Sequence, residues 1–516
     1  MSDGSGRGGS ADGAHTIGRW LSDRAAVAPD RIAIDDRGVR IAYGELDARA
    51  AGLARSLRAA GYGPGDRVAT ISGNSIEHVV VFFACARAGL AFMPLSWRLT
   101  PRELSEVLTA SAPALVLVED EYIGSASDAL RRMAARPPMA LLGTTGVEAA
   151  VPSRPGGAAA QRPVRDDDAL LVIHTSGSEA APKGVVLTHA NCFWNNLALA
   201  GALPVTADDV VLAMLPQFHV AAWNCQPLLA WWTGATVVLE RSFQPQRVLQ
   251  LIAERGVTTM MGVPTQYRLL ADDPRFGADT LRTLRVALVG GATVGHELAA
   301  VWEAVGTPLT QGYGLTEAAP NVLYAGRPYP HVDVMLTDAE TSLPLEGPAT
   351  GELWVRGPSV FAGYLRDEPA TARAMHEGWL RTGDIAQRSA DGEYRIVDRL
   401  KDIYISGGEN VAPAEVEAVL LRHPAIAEAA VVGAPDPVWG ERGVAFVVVR
   451  DGALLGEDEV LAHARAELAA FKVPVRVAFV AALPRATIDK LARPRLRQWA
   501  SELVQIQREE DARDHH

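Results

Sequence analysis

The sequence predicts an α/β protein: a large N-terminal domain of two helix-covered sheets plus a small β-barrel, followed by a small α+β C-terminal domain. Three observations carry this expectation. Short apolar runs alternate with amphipathic stretches from Ile32 onward, the alternation returns between Val210 and Leu298, and short alternating strands with Gly-bearing turns take over after Pro344. Alternating strands and helices imply parallel sheet under a helical cover.

Taken in order, "MSDGSGRGGSADGAH" is rich in Gly and Ser and lacks the apolar core of a signal peptide, so residues 1–15 read as a disordered leader. "YGELDARAAGLARSLRAAG" reads as a helix, "DRVATIS" as a strand and "SIEHVVVFFACARAG" as a helix of a first sheet layer. "RPGGAAAQRPVRDDD" (Arg154 to Asp168) looks like a loose surface loop. "DVVLAML", "TVVLE", "TTMMGV" and "LRVALVGG" are the strands of a second sheet. "GELWVRG" and "GEYRIVD" fit a small antiparallel barrel or meander, and "AEVEAVLLRHP", "IAEAAVVGAPD" and "GVAFVVVR" fit helix, strand, strand. The expected domains are residues 16–397 and 402–502, joined at 398–401 and followed by a tail at 503–516.

Composition narrows the function classes. A chain of 516 residues exceeds one usual domain length of roughly 150. Its 48% hydrophobic and 21% charged residues suit a globular chain able to build large cores. The net charge of -12 argues against nonspecific binding to nucleic acid or anionic membrane, so any anion site is local. Cys85, Cys192 and Cys225 are too widely spaced for a disulfide framework or a metal pair and read as buried thiols. No segment offers the roughly 18 apolar residues of a membrane span, and a cytoplasmic location is expected.

"HTSGSEAAPKGVVLTHANC" (His174 to Cys192) comes directly after an apolar run and carries small hydroxyl residues, Gly and Lys. A Walker loop needs GxxxxGK[ST]; here Pro182 stands for the last Gly and Gly184 for the hydroxyl residue, so that reading fails. What survives is a loop of hydroxyls and amides with a Lys able to neutralise phosphate. Further along the chain stand "QGYGLTEAAP", "LRTGD" ending at Asp384, "DRLKDIYISGGENVAPAEVE" and "LPRATIDK" ending at Lys490.

In this order and spacing these motifs resemble the adenylate-forming superfamily of acyl-CoA synthetases, nonribosomal adenylation domains and luciferases, over about residues 16 to 500. Through "LPQFHVAAWN", "GVPTQYRLL" and "VFAGYLRDEPATARAMHEGWLRTGD" the resemblance is closest to medium- and long-chain fatty acid ligases. It implies a mobile C-terminal domain and a two-step reaction. A carboxylate attacks the α-phosphate of ATP, and a thiol then displaces AMP. Both steps pass through anionic states, so positioning and charge neutralisation carry them.

By this resemblance Thr175, Ser176, Gly177, Ser178 and Lys183 cradle the β- and γ-phosphates, Thr316 meets the α-phosphate and Glu317 holds Mg²⁺. Asp384 takes the ribose hydroxyls with help from Arg399. The adenine lies against Gly290, Gly291 and Ala292 and against Tyr313 of the Gln311-Gly312-Tyr313 stretch. Lys490 offsets charge during adenylation, and Lys401 is the hinge. The implied cofactors are ATP, Mg²⁺ and coenzyme A, or the phosphopantetheine of an acyl carrier protein as partner.

His219 comes after Phe218 where amino acid-activating relatives place Asp, so a free α-amino acid is disfavoured. His219, Val220, Ala222, Trp223, Asn224, Gly262 and Gly290 form the expected substrate pocket, the small residues leaving room and Trp223 forming a wall. Three departures from the family pattern stand out: Glu179-Ala180-Ala181 in the loop, Asp489 before Lys490, and a short run from Pro320 to Gly326. Ile405 replaces the second Lys that luciferases use, and a noncatalytic sensor would dispense with Lys490, so ligation of a fatty or related hydrophobic acid is the leading expectation.

Overall fold

The computed structural model describes residues 13–143, 146–147, 151–175, 182–292, 294–400, 402–406, 409–436, 439–485 and 491–514. The chain forms two compact units: residues 1–333 with 355–380, and residues 334–354 with 381–516. This division differs from the expected junction at 398–401. Strand Tyr394–Arg399 pairs with Trp379–Arg388, and Asp398 accepts the Ala414 backbone N–H at 2.9 Å, tying residues 381–400 to the C-terminal part of the chain.

The first unit holds both expected sheets. In one, Ala169–Thr175, Ala91–Leu95, Arg67–Ile71, Leu115–Glu119 and Met139–Gly143 run parallel side by side. The other has a parallel centre of Leu309–Gly314, Val286–Val289, Thr259–Gly262, Val210–Ala213, Thr236–Leu239 and Ile32–Asp36. Thus Ile32–Asp36 belongs to the second sheet, not to the first sheet layer that the order of the sequence suggests. The cause is visible in the packing: Tyr43, fully buried just after this hairpin, donates its hydroxyl to Ala235 O at 2.7 Å and fixes the hairpin beside Thr236–Leu239. Parallel strands, buried on both faces, read as continuous apolar runs, which explains why these segments were legible.

Residues 1–12 of the expected leader lie outside the described residues. His15, the last residue of the expected leader, pairs with Asp166 at 2.8 Å and packs edge-on against Phe193. The loop from Arg154 to Asp168 is irregular but held: Arg154 pairs with Asp66 at 2.8 Å and Ala159 N–H donates to Gly61 O at 2.7 Å. Cys85, Cys192 and Cys225 are free and buried, and burial pushes the Cys192 and Cys225 thiols up to about 12. Among the described residues no helix is long and apolar enough to cross a membrane.

Asp333–Thr337, Ala349–Arg356, Trp379–Arg388 and Tyr394–Arg399 lie side by side as a small sheet; most of their residues belong to the second unit, whereas the small β element was expected within the N-terminal domain. Ile426–Asp436 and Gly440–Val449 form a long antiparallel pair. One face packs on helices Pro413–Leu420 and Glu457–Glu467, the other on helix Arg493–Asp514. The Arg493 guanidinium lies 3.0 Å from Glu417, and Arg497 lies 2.6 Å from Asp402. These pairs secure the chain on the far side of position 401.

Candidate active site

The strands that flank the phosphate-loop candidate pair as a β-hairpin. Ala169–Thr175 pairs antiparallel with Lys183–Thr188, placing Thr175 opposite Lys183 and His174 opposite Gly184. A Walker loop opens a helix and uses the helix N-terminus against phosphate. Here a strand intervenes, and helix His189–Ala202 begins afterwards with a capping box between Thr188 and Asn191. Ser176, Gly177 and Ser178, with Glu179, Ala180 and Ala181, lie outside the described residues.

Strand Gly363–Tyr364 extends the hairpin, pairing antiparallel with Val185 and Val186. It brings Tyr364 beside two groups that the sequence singled out. The Tyr364 hydroxyl donates to Glu317 Oε1 at 2.8 Å, and Lys183 Nζ lies 5.4 Å from the centroid of its ring. Phe361 N–H donates to Glu317 O at 2.8 Å, so the carboxylate turn is docked on the same segment. The sequence motif containing Tyr364 did not single this residue out. Its signal was the Gly-Tyr step, whose meaning depends on pairing with a strand nearly 180 residues earlier.

Thr316 and Glu317 sit in the short turn Thr316–Ala318, between the antiparallel strands Leu309–Gly314 and Asn321–Tyr324. A β-carbon on Gly314 would lie 1.6 Å from Pro320 O, so only Gly permits this close approach. The turn rests on amides: Asn224 Nδ2 donates to Ala319 O at 2.9 Å, and Asn321 N–H and Nδ2 both donate to Asn195 Oδ1. Asn224, expected in the substrate pocket, is 1% exposed and supports the turn from within.

Beside it, Gly290 N–H donates to Gly262 O, and Gly291 takes a left-handed φ of 83°. The Gln311 amide staples this turn to its strand: Oε1 accepts from Val294 N–H at 3.1 Å, and Nε2 donates to Ala292 O at 3.2 Å and Gly312 O at 3.1 Å. Gln311 thus holds the wall that Gly290, Gly291 and Ala292 form, with Tyr313 two residues along the same strand.

The pocket residues separate into rim and core. His219 is partly exposed and packs on Phe218 with ring centroids 4.4 Å apart. Val220 and Ala222 are 5% exposed. Trp223 does not form a pocket wall: it is fully buried, stacks on Phe82 at 4.7 Å and donates Nε1–H to Gln217 O at 2.6 Å. Nor do the glycines open space. A β-carbon at Gly262 would meet Gln266 Oε1 at 3.0 Å and Met214 at 3.2 Å, and one at Gly290 would meet the Met261 methyl at 3.0 Å. The room left by both is filled by the chain itself.

The loop carrying His219 hangs from a buried polar clamp. Asn74 accepts Gln217 N–H and donates to both Leu215 O and Glu240 O, each at 2.9 Å. His78 bridges Gln217 Oε1 at 3.0 Å and Thr70 Oγ1 at 2.7 Å. Complete burial pushes the His78 pKa down to about 4, so the bridge is neutral near pH 7.

The second unit presents Asp384, 3% exposed, with Arg399 Nε 2.9 Å from Oδ1. Lys401 and Lys490, with Asp489, lie outside the described residues.

The AMP-binding enzyme family matches residues 21–365, and its C-terminal domain matches residues 415–490. The chain is 38% identical over 497 residues to a feruloyl-CoA synthase from Amycolatopsis sp, covering 93% of this chain and 98% of the relative. It is 34% identical to the fatty acid–[acyl-carrier-protein] ligase ScoC of Streptomyces coeruleorubidus, covering 93% and 96%. Among solved structures, ATP-bound MatB from Rhodopseudomonas palustris superposes with a TM-score of 0.86 at 30% identity, covering 95% of this chain and 99% of that one. With the hairpin loop, the Thr316-Glu317 turn and these likenesses in hand, the chain belongs to the AMP-binding enzyme family and is an ATP-dependent, AMP-forming acid–thiol ligase.

Proposed function

We propose that this ligase joins a compact hydrophobic acid, aromatic rather than long-chain, to coenzyme A through an acyl-adenylate. The observation that carries the choice of acid is the filled space at Gly290, where the Met261 methyl stands 3.0 Å from the β-carbon position. With Gly262 backed by Gln266 and Met214 as well, little room stands open beside these two glycines for a long chain, and a compact ring asks for less. The likeness to a feruloyl-CoA synthase supports the same reading. The likeness to ScoC keeps a fatty acid, and a carrier-protein phosphopantetheine as acceptor, as the competing arm.

In this reading the substrate carboxylate bonds to the α-phosphorus as the bond to pyrophosphate breaks; the thiol then bonds to the acyl carbon and AMP leaves. Lys183 and the hairpin amides hold the outer phosphates, and Thr316 meets the α-phosphate. A hard cation suits a carboxylate, and the Glu317 carboxylate, held through one oxygen by Tyr364, fits that duty. Bound there, Mg²⁺ supplies neutralisation of phosphate charge. Asp384, with Arg399 beside it, takes the ribose hydroxyls. Lys490 offsets the charge that develops at the α-phosphate, and position 401 is the hinge.

The test is thioester formation by purified protein with ATP, Mg²⁺ and coenzyme A across hydroxycinnamic, arylacetic and straight-chain fatty acids, repeated with a phosphopantetheinylated carrier protein. The expected result is the highest kcat/KM for an aryl acid with coenzyme A. A maximum for fatty acids of about ten carbons or more would overturn the choice of acid, and turnover only with the carrier protein would overturn the acceptor.

A further inference from the structure

Tyr364 joins two groups on separate elements. Its hydroxyl donates to Glu317 Oε1 at 2.8 Å, and its ring face lies 5.4 Å from Lys183 Nζ. The backbone around it is fixed from several sides. Tyr364 pairs with Val185, Leu365 N–H donates to Gly184 O at 2.7 Å, and Tyr364 N–H donates to Thr371 Oγ1 at 2.8 Å. The Phe361 ring packs edge-on against Tyr364 at 5.0 Å. A side chain held this firmly orients what it touches.

We propose that Tyr364 is a positioning residue for the nucleotide-bound cation. Its O–H holds one oxygen of Glu317 so that the other faces the cation, and its ring face keeps Lys183 beside the phosphate path. Among the described residues no cluster of three or more His, Cys, Asp or Glu could hold a metal by itself. A cation at Glu317 would take further ligands from phosphate oxygens and water, which is how Mg²⁺ is usually bound. The orientation of the Glu317 carboxylate then bears directly on the affinity. Glu317 is only partly buried, so without the hydroxyl its carboxylate would sample several rotamers.

The proposal rests on the reading of Lys183 and Glu317 as phosphate-facing and cation-facing groups. It is tested on the full chain by Mn²⁺ binding, followed by electron paramagnetic resonance, with an α,β-methylene ATP analogue and no acid present. Tyr364→Phe keeps the ring and removes the hydroxyl. It is expected to weaken Mn²⁺ about ten-fold in the ternary complex, as loss of a hydrogen bond to a charged group does, with the melting temperature and the KM for the acid unchanged. Tyr364→Leu is expected in addition to weaken the analogue several-fold without metal, because Lys183 loses its ring.

In a Glu317→Gln background, Tyr364→Phe is expected to change Mn²⁺ affinity no further, since both changes act on one carboxylate. Wild-type Mn²⁺ affinity in Tyr364→Phe, or a loss that simply adds to that of Glu317→Gln, would overturn the proposal. Silence of the wild-type protein with every acid would remove the adenylation reading, while the acid-free Mn²⁺ titration would still decide the role of Tyr364.

Discussion

Arg399 Nε lies 2.9 Å from Asp384 Oδ1, across a strand pair that sets the two residues directly opposite each other. The carboxylate is 3% exposed, and the Asp384 backbone N–H donates to Thr382 Oγ1 at 3.0 Å. The group is oriented before any ligand arrives. Asp384→Asn replaces one acceptor with a donor. It is expected to raise the KM for ATP ten-fold or more with the KM for the acid unchanged, measured by pyrophosphate release at saturating acid. An unchanged KM for ATP would remove Asp384 from nucleotide binding.

The clamp on the His219 loop predicts a split effect. Asn74→Ala leaves Gln217 N–H and two carbonyls buried without partners, a loss of about 2–4 kcal/mol on the cost of unmade hydrogen bonds. Denaturant unfolding measures this loss. The KM for the acid is expected to rise well beyond that for ATP, because the loop carries Phe218 and His219 rather than phosphate contacts. Equal changes in both KM values would make the clamp a purely structural device.

Burial also predicts acid sensitivity. His78, His174 and His189 are held neutral, each with its pKa pushed down to about 4 by desolvation. Unfolded imidazoles titrate near 6.5, so between about pH 6.5 and 4 the unfolded chain binds more protons than the folded one. The stability these groups provide is whole above about pH 6.5 and is lost as the pH falls toward 4. Melting temperature against pH should fall steeply across that window, and His78→Gln should make the slope shallower. A flat profile in the wild type would contradict neutral burial.

Gly314→Ala should be among the most damaging single methyl additions in the chain, since the new carbon would lie 1.6 Å from Pro320 O. A loss of about 3 kcal/mol or more is expected, with adenylation lost as the Thr316–Ala318 turn shifts. Gly295→Ala is the control: nothing lies within 4 Å of its β-carbon position, and its φ of -71° is ordinary. Comparable losses in both variants would show that the close approach does not matter.

If Met261 closes the acid site, Met261→Ala should open it. The variant is expected to gain activity toward longer straight-chain acids relative to aryl acids, read as a change in the kcat/KM ratio of about ten-fold, the scale of one or two methylene groups in a hydrophobic pocket. An unchanged ratio would place the acid elsewhere.

The range of each interaction decides whether the sequence revealed it or hid it. Helices Tyr43–Ala59 and Ile76–Ala88 and strands such as Val286–Val289 were legible because periodicity and apolar runs are local. Composition made the Arg154–Asp168 loop look free, because its pins to Asp66 and Gly61 lie about 90 residues away. The pairing of Ile32–Asp36 with Thr236–Leu239 depends on partners some 200 residues apart, which no local pattern encodes. In the candidate site the residue types were visible at Lys183, Glu317 and Asp384. Tyr364, Asn74 and His78 were not, because each acts through a neighbour brought close only by the fold. The small residues Gly262 and Gly290 misled for the same reason, as the groups filling their space are seen only once the chain is packed.

The central claim is that the hairpin loop, Lys183 and the Thr316-Glu317 turn activate a carboxylic acid on ATP. Exchange of labelled pyrophosphate into ATP, with Mg²⁺ and an aryl acid but no thiol, tests it most directly. Exchange that requires the acid and collapses in Lys183→Ala and Glu317→Gln is expected. Exchange that proceeds without the acid, or survives both substitutions, would contradict it.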